Sequence, residues 1–169
     1  MLYKTYYKSP IGNLMLVSDG DNLVGLYIEN QKYYLNGIKQ EVTPKDNLQF
    51  FENTKKWLDR YFAKENPSIK EIPLAPIGGE FRQKVWKILC EIPYGQTITY
   101  GEIAKKIAKE MHKEKMSAQA VGNAVGHNPI SIIIPCHRVV GKDGSLTGYA
   151  GGIEKKRILL ELERGKVEN

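Results

Sequence analysis

From Leu2 to Ile28 the apolar residues come in short runs cut by turn residues, which is a strand pattern rather than a helical one. Leu2-Tyr3-Lys4-Thr5-Tyr6-Tyr7-Lys8 is rich in β-formers, Ser9-Pro10-Ile11-Gly12-Asn13 supplies a turn, and Leu14-Met15-Leu16-Val17-Ser18 follows. Asp19-Gly20-Asp21-Asn22 turns the chain again before Leu23 to Ile28. Three strands joined by two tight turns predict an antiparallel meander. Gln31 to Asp46 is polar and has no period, so it reads as loop. Leu48, Phe51, Leu58 and Tyr61-Phe62, with Trp57 on the same broad face, predict a helix over residues 47–64, ended by Asn66-Pro67. Ile69 to Leu74 fits a returning strand. Pro73, Pro76, Gly78 and Gly79 form a linker, and the domain boundary is expected there: residues 1–77 as one domain, 78–169 as the other.

The second half has a helical pattern. Phe81, Val85, Ile88 and Leu89 fall at helical spacing before Pro93-Tyr94-Gly95. Thr99-Tyr100-Gly101-Glu102 fits a capping box, opening a helix with Ile103, Ala104, Ile107, Ala108 and Met111 on one face and Lys105, Lys106 and Lys109 on the other. After a polar turn, Ser117 caps a second helix from Ala118 to about Gly126. Two short helices joined this way predict a helix-turn-helix. Ala118, Ala120, Gly122, Ala124 and Gly126 in the second helix are all small, which suits either a close approach to DNA or tight helix packing. Asn128-Pro129 stops that helix, and the apolar run Ser131-Ile132-Ile133-Ile134 leads as extended chain into Pro135-Cys136. Val139-Val140 followed by Gly141-Lys142-Asp143-Gly144 predicts a hairpin. Gly148 to Gly152 is a loop able to present backbone N–H groups, and a last helix runs from Ile153 to Arg164 on Ile158, Leu159 and Leu162, with Gly165 as its cap. The pattern as a whole is α+β: a small sheet with a helix, then a mainly helical domain.

Composition adds limits to this picture. With 41% hydrophobic and 26% charged residues, a packed core is expected and global disorder is not. No apolar run is long enough for a transmembrane helix, and Met1 to Ser18 lacks a signal peptide's apolar block, so a cytoplasmic protein with no membrane association is expected. Lys+Arg number 25 against 19 Asp+Glu, a net charge of +6. That excess suits an anionic partner such as nucleic acid, and equally a solvated Lys-rich surface. Two cysteines and three histidines, with no Cys-x-x-Cys, argue against a disulfide framework and a structural metal.

The chemistry concentrates at Cys136. Cys90, on an apolar helical stretch, reads as packing, whereas Cys136 follows a proline and is flanked by His137 and Arg138, which favour the thiolate. In an extended segment neighbouring side chains point to opposite faces, so His137 is expected not to reach the sulfur directly, and a relay through water or a bend in the chain is needed. The imidazole then needs an orienting carboxylate, for which Glu163 is one candidate among several.

Pro135-Cys136-His137-Arg138-Val139-Val140-Gly141 resembles the active-site signature of the O6-alkylguanine-DNA alkyltransferases. Ser9-Pro10-Ile11-Gly12, Val85-Trp86, Ile92-Pro93-Tyr94-Gly95, Thr99-Tyr100-Gly101-Glu102-Ile103-Ala104, Ala120-Val121-Gly122, Asn128-Pro129 and Gly148-Tyr149-Ala150-Gly151-Gly152 resemble that family too, in the family's order. The resemblance implies an RNase H-like first domain and a winged-helix-like second domain carrying the site. It implies a single-use repair protein that flips O6-alkylguanine, and also O4-alkylthymine, out of duplex DNA and keeps the alkyl group on Cys136. His137, held by Glu163, would deprotonate Cys136 through water; Tyr100 would donate at the guanine ring; Asn128 would brace the recognition helix against the site. The Ala150 N–H would face O6, the Cys136 and Val139 carbonyls would accept from the exocyclic amine, and Tyr149 and Gly151 would line the pocket. Ala118, Gln119, Ala120, Gly122 and Arg138 would meet DNA at the minor groove. A monomer with no cofactor and no metal is implied.

Two departures from the family are visible. Gln119 stands where the family places an arginine in the recognition helix, and no Cys or His before Cys90 supplies the zinc ligands some relatives have. A cysteine hydrolase is the rival enzyme reading, but the adjacency of Cys136 and His137 is unlike a triad converging from separate segments. A DNA-binding module without chemistry is the other rival, and it would have no use for the cysteine.

Overall fold

The meander forms where its turn residues place it. The computed structural model describes residues 1–164 and contains two units. The first holds Met1–Ile77 and Pro129–Ile133; the second holds Gly78–Asn128 and the chain from Ile134 on. Segment Pro129–Ile133, expected within the second domain, thus packs with the first unit.

In the first unit β1 (Leu2–Ser9), β2 (Gly12–Ser18) and β3 (Leu23–Ile28) pair antiparallel. The Ser9 hydroxyl donates to the Gly12 carbonyl at 2.7 Å and accepts from the Ile11 N–H at 3.1 Å, and Gly12 takes φ 106°, where a side chain would be strained. At the second turn the Asp19 carboxylate accepts from the Asp21 and Asn22 N–H groups at 2.9 and 2.7 Å. Residues 31–46 are not all loop. Val42–Pro44 forms a short strand, β4, parallel to β1, giving the order β3-β2-β1-β4. Three half-exposed or exposed residues carry no period for a sequence to display, and Pro44 sits at an edge, where its missing N–H costs no ladder bond.

The expected strand at Ile69–Leu74 is instead a 3-10 turn over Ile69–Glu71, capped by Ser68, and Leu74 makes a single bridge to Leu23. Pro73 has no N–H to extend a ladder. The outer edge of β3 is covered by two segments. Leu23 donates to the Pro73 carbonyl at 2.8 Å, and Leu26 exchanges bonds with Pro129 and Ser131 at 2.9 and 3.0 Å. Helix α1 (Gln49–Phe62) turns Phe51, Thr54, Trp57, Leu58 and Tyr61 inward against β1 and β2. Within Pro129–Ile133, Ile132 takes φ 71° while Ile133 donates to the Ser131 carbonyl at 2.8 Å. A β-branched residue in that conformation stores about 1–3 kcal/mol of strain.

The second unit contains α2 (Glu80–Leu89), β5 (Ile98–Thr99), α3 (Tyr100–Glu110), α4 (Ala118–Gly126), β6 (Val139–Val140) and α5 (Ile153–Arg164). Helices α2, α3 and α4 pack on one another through Val85, Ile88, Leu89, Ile103, Ile107, Val121 and Val125, and the Trp86 indole donates to the Ala124 carbonyl at 2.8 Å. Thr99 and Glu102 form the capping box, and Ser117 accepts from the Ala120 N–H at 3.1 Å. Val139-Val140 does not enter a hairpin. It pairs parallel with Ile98-Thr99, and the turn at Gly141–Gly144 leads into a strandless loop. The buried face of α5 is Lys156, Leu159, Leu160 and Glu163, with Ile158 and Leu162 only half-buried. The expected Gly165 cap lies outside the described residues. Among the described residues no helix is long and apolar enough to cross a membrane.

Candidate active site

Pro135 bends the chain into Cys136. Its φ of −81° and ψ of 64° make an inverse γ-turn, closed by the Cys136 N–H on the Ile134 carbonyl at 2.8 Å. Cys136–Arg138 then forms one 3-10 turn, not the extended segment expected from the sequence. Successive side chains are splayed by about 120° in such a turn, so His137 still turns away from the sulfur. Both residues are buried.

The His137 ring points at α5, with Nε2 2.5 Å from Glu163 Oε2. Arg138 reaches the same carboxylate, Nε to Oε1 at 2.8 Å and Nη2 to Oε2 at 3.1 Å, and donates from Nη1 to the Ile92 carbonyl at 2.6 Å. The Gly95 N–H adds a third donor residue at 3.3 Å, and Gly95 takes φ 79° to present it. Burial pushes the Glu163 carboxyl up, but the bonds and charges of His137 and Arg138 outweigh it and hold the group well below the usual carboxylate range. Burial also pushes the His137 imidazole below its ordinary value, more than Glu163 raises it. The result is an ionised Glu163 beside a neutral His137. An ionised carboxylate only accepts, so Nε2 carries the proton and Nδ1 the lone pair. Nδ1 is buried and has no hydrogen-bond partner among the described residues. Arg138 requires a correction. Expected to meet DNA and to favour the thiolate, it spends its guanidinium on Glu163 and Ile92 and stacks on the Tyr94 ring at 5.7 Å.

The group touching Cys136 is Asn128, whose Nδ2 also donates to the Ile134 carbonyl at 2.9 Å and whose own backbone caps the end of α4. Burial raises the thiol's pKa, opposed by the Asn128 hydrogen bond and by the positive charge of Lys156. Tyr100, the first residue of α3, lies near the same thiol and is hydrogen-bonded to the Thr147 side chain; burial raises its pKa and keeps it a neutral donor. Nothing in the sequence pattern marks Lys156 out, because a lysine in a Lys-rich helix reads as solvated. The structure buries it completely, with Nζ donating to the Thr147 carbonyl at 2.7 Å and to Gly148 at 3.4 Å. Beyond them, Tyr149, Ala150 and Gly151 form the half-buried loop before α5, and the Ala150 N–H finds no protein acceptor among the described residues. Val139 is buried in β6.

The small residues of α4 are divided between a buried and an open face. Ala124 is buried against α2, while Ala118 and Gln119 are exposed and Ala120 is half-buried. At Gly122 a Cβ would rest 3.7 Å from the Tyr100 ring, and at Gly126 it would meet nothing within 4 Å. No cluster of three or more His, Cys, Asp or Glu side chains suited to a metal occurs among the described residues.

A sheet unit followed by a helical unit with a buried Pro-Cys-His-Arg turn matches known proteins along its length. Residues 2–76 match the profile described as 6-O-methylguanine DNA methyltransferase, ribonuclease-like domain, and residues 80–165 match the DNA binding domain of the same family. The methylated-DNA–protein-cysteine methyltransferase of Haemophilus influenzae is 45% identical over 163 residues, spanning 96% of this chain and 87% of that protein. That of Methanosarcina acetivorans is 43% identical, spanning 96% and 98%. The crystal structure of Mycobacterium tuberculosis OGT in complex with DNA superposes with a TM-score of 0.84 at 43% identity, over 96% of this chain and 92% of that one. The chain belongs to the 6-O-methylguanine DNA methyltransferase family.

Proposed function

We propose that this protein repairs DNA by taking the alkyl group of O6-alkylguanine onto its own Cys136, once per molecule. The observation that carries the reading is a buried thiol followed in the chain by a neutral imidazole whose Nε2–H is held by ionised Glu163 and whose Nδ1 has no partner among the described residues. Through one water, Nδ1 takes the Cys136 proton, and Glu163 stabilises the imidazolium that results. The thiolate attacks the alkyl carbon in line. An S–C bond forms, the C–O6 bond breaks with its electron pair going to the guanine, and the Tyr100 hydroxyl donates to the leaving base. The Ala150 N–H faces O6. The Cys136 and Val139 carbonyls accept from the exocyclic amine, and a second lone pair lets Cys136 do so while bonded to the Val139 N–H. Tyr149 and Gly151 line the pocket. The product is a thioether, a very poor leaving group, so the protein does not turn over.

The α3–α4 pair acts as a helix-turn-helix. Ala118, Gln119, Ala120 and Gly122 enter the minor groove, where small side chains permit close approach, and Gln119 takes the place of the flipped nucleotide. The protein works as a monomer in the cytoplasm, without a cofactor. Peptide mass spectrometry after incubation with a duplex containing O6-methylguanine tests this. One methyl is expected on the Cys136 peptide and none in Cys136→Ala; lesion loss with Cys136 unmodified would overturn the reading.

A further inference from the structure

Lysine is rarely buried completely, because its ammonium is costly to remove from water and its stem loses rotamer freedom. Lys156 is at 0% exposure on the inner face of α5, among Leu159, Leu160 and Glu163. Glu163 is answered by His137 and Arg138, but among the described residues Lys156 meets no carboxylate. Its hydrogen-bond partners among the described residues are the Thr147 and Gly148 carbonyls. An ammonium has three donors, so one remains over. The structure therefore buries a cation without a protein anion among the described residues, beside the thiol that is to become an anion.

We propose that Lys156 is a positioning residue for Cys136, its ammonium clamping the Thr147 and Gly148 carbonyls and supplying the positive field in which the thiolate forms. The assignment rests on Cys136 as the alkyl acceptor. The coupling runs both ways: the ammonium lowers the thiol's pKa against burial, and burial brings Lys156 down to about 8 while Cys136 pulls it back up. The other groups near this pair do not substitute for it. His137 is neutral, Arg138 is neutralised by Glu163, and Tyr100 faces the same thiol as a neutral hydroxyl. A charge fixed in place before the thiolate forms needs no rearrangement when it does. The clamp has a second effect. Thr147 is held through its carbonyl by Lys156 and through its side chain by Tyr100, so the loop leading into Tyr149, Ala150 and Gly151 is anchored from two helices.

The test uses iodoacetamide, which reads the Cys136 thiolate whether or not alkylguanine is the substrate, with labelling followed on the Cys136 peptide from pH 6 to 10. In Lys156→Met the labelling midpoint should move up by about one pH unit or more, with at least a ~10-fold loss of rate at neutral pH. Lys156→Arg, which keeps the charge, should restore the midpoint. An unchanged midpoint in the Met variant overturns the proposal. If that variant does not fold, the wild-type protein decides by NMR of the Lys156 side-chain nitrogen. Capping Cys136 with iodoacetamide should lower the Lys156 midpoint, and an unchanged midpoint overturns the proposal. Failure of methyl transfer from O6-methylguanine, with these shifts present, would count against the repair reading and leave Lys156 as assigned.

Discussion

At the scale of residues, Glu163 holds the site together. Its carboxylate takes His137, both arms of the Arg138 fork and the Gly95 N–H, so one side chain fixes a tautomer, neutralises a buried guanidinium and ties a loop to α5. Removing that charge leaves Arg138 without its counter-ion. Glu163→Gln is expected to cost about 3 kcal/mol in urea unfolding, the range for breaking a buried pair. It should also slow Cys136 methylation by about 100-fold, the lower bound for a disabled general base. Wild-type stability with wild-type rate would show that the carboxylate does neither. The sequence offered Glu163 only as one acid among several, since a partner 26 residues away is set by tertiary packing. Arg138 shows the same limit: its bonds to Glu163 and the Ile92 carbonyl are set by tertiary packing, which no local pattern displays.

At the scale of elements, α4 divides its small residues between a buried face and an open one. Gly122→Ala puts a methyl in ordinary contact with the Tyr100 ring on a face otherwise open. Helix propensity predicts a gain of about 0.5–1 kcal/mol in unfolding free energy. Affinity for a lesion-containing duplex should fall, because the added methyl lies on the face proposed to enter the groove. Improved stability with undiminished duplex affinity would remove Gly122 from the interface. Gln119→Arg should act oppositely. It should tighten duplex binding and steepen its salt dependence by about one unit of log–log slope, since a single phosphate-pairing charge is added. Methyl transfer from the free base should stay nearly unchanged, and equal effects on both substrates would argue against an intercalating position. The capped helices were legible because Thr99, Glu102 and Ser117 are local signals. Strand β4 and the parallel β5–β6 pair were not, because two or three residues leave no period and their partners lie about 40 residues away.

At the scale of the whole molecule, acid should be the direction of weakness. His137 and Glu163 both have folded pKa values below their unfolded values of 6.5 and 4.5. The unfolded chain therefore binds their protons first as pH falls. Their contribution is complete above 6.5, begins to fade below it through His137, and fades further below 4.5 through Glu163. Melting temperature should fall progressively from pH 7 to pH 4; a flat wild-type profile would contradict this. The two-part organisation was readable from the Pro/Gly linker before Glu80, but the return of Pro129–Ile133 to the first unit was not, since Ser131-Ile132-Ile133-Ile134 looks like any buried run. The central claim is that Cys136 is consumed. A fixed amount of protein titrated with excess O6-methylguanine duplex should remove lesions up to one per molecule and then stop, with Cys136 methylated in step. Lesion removal continuing past one per molecule, or stopping with Cys136 free, would contradict it.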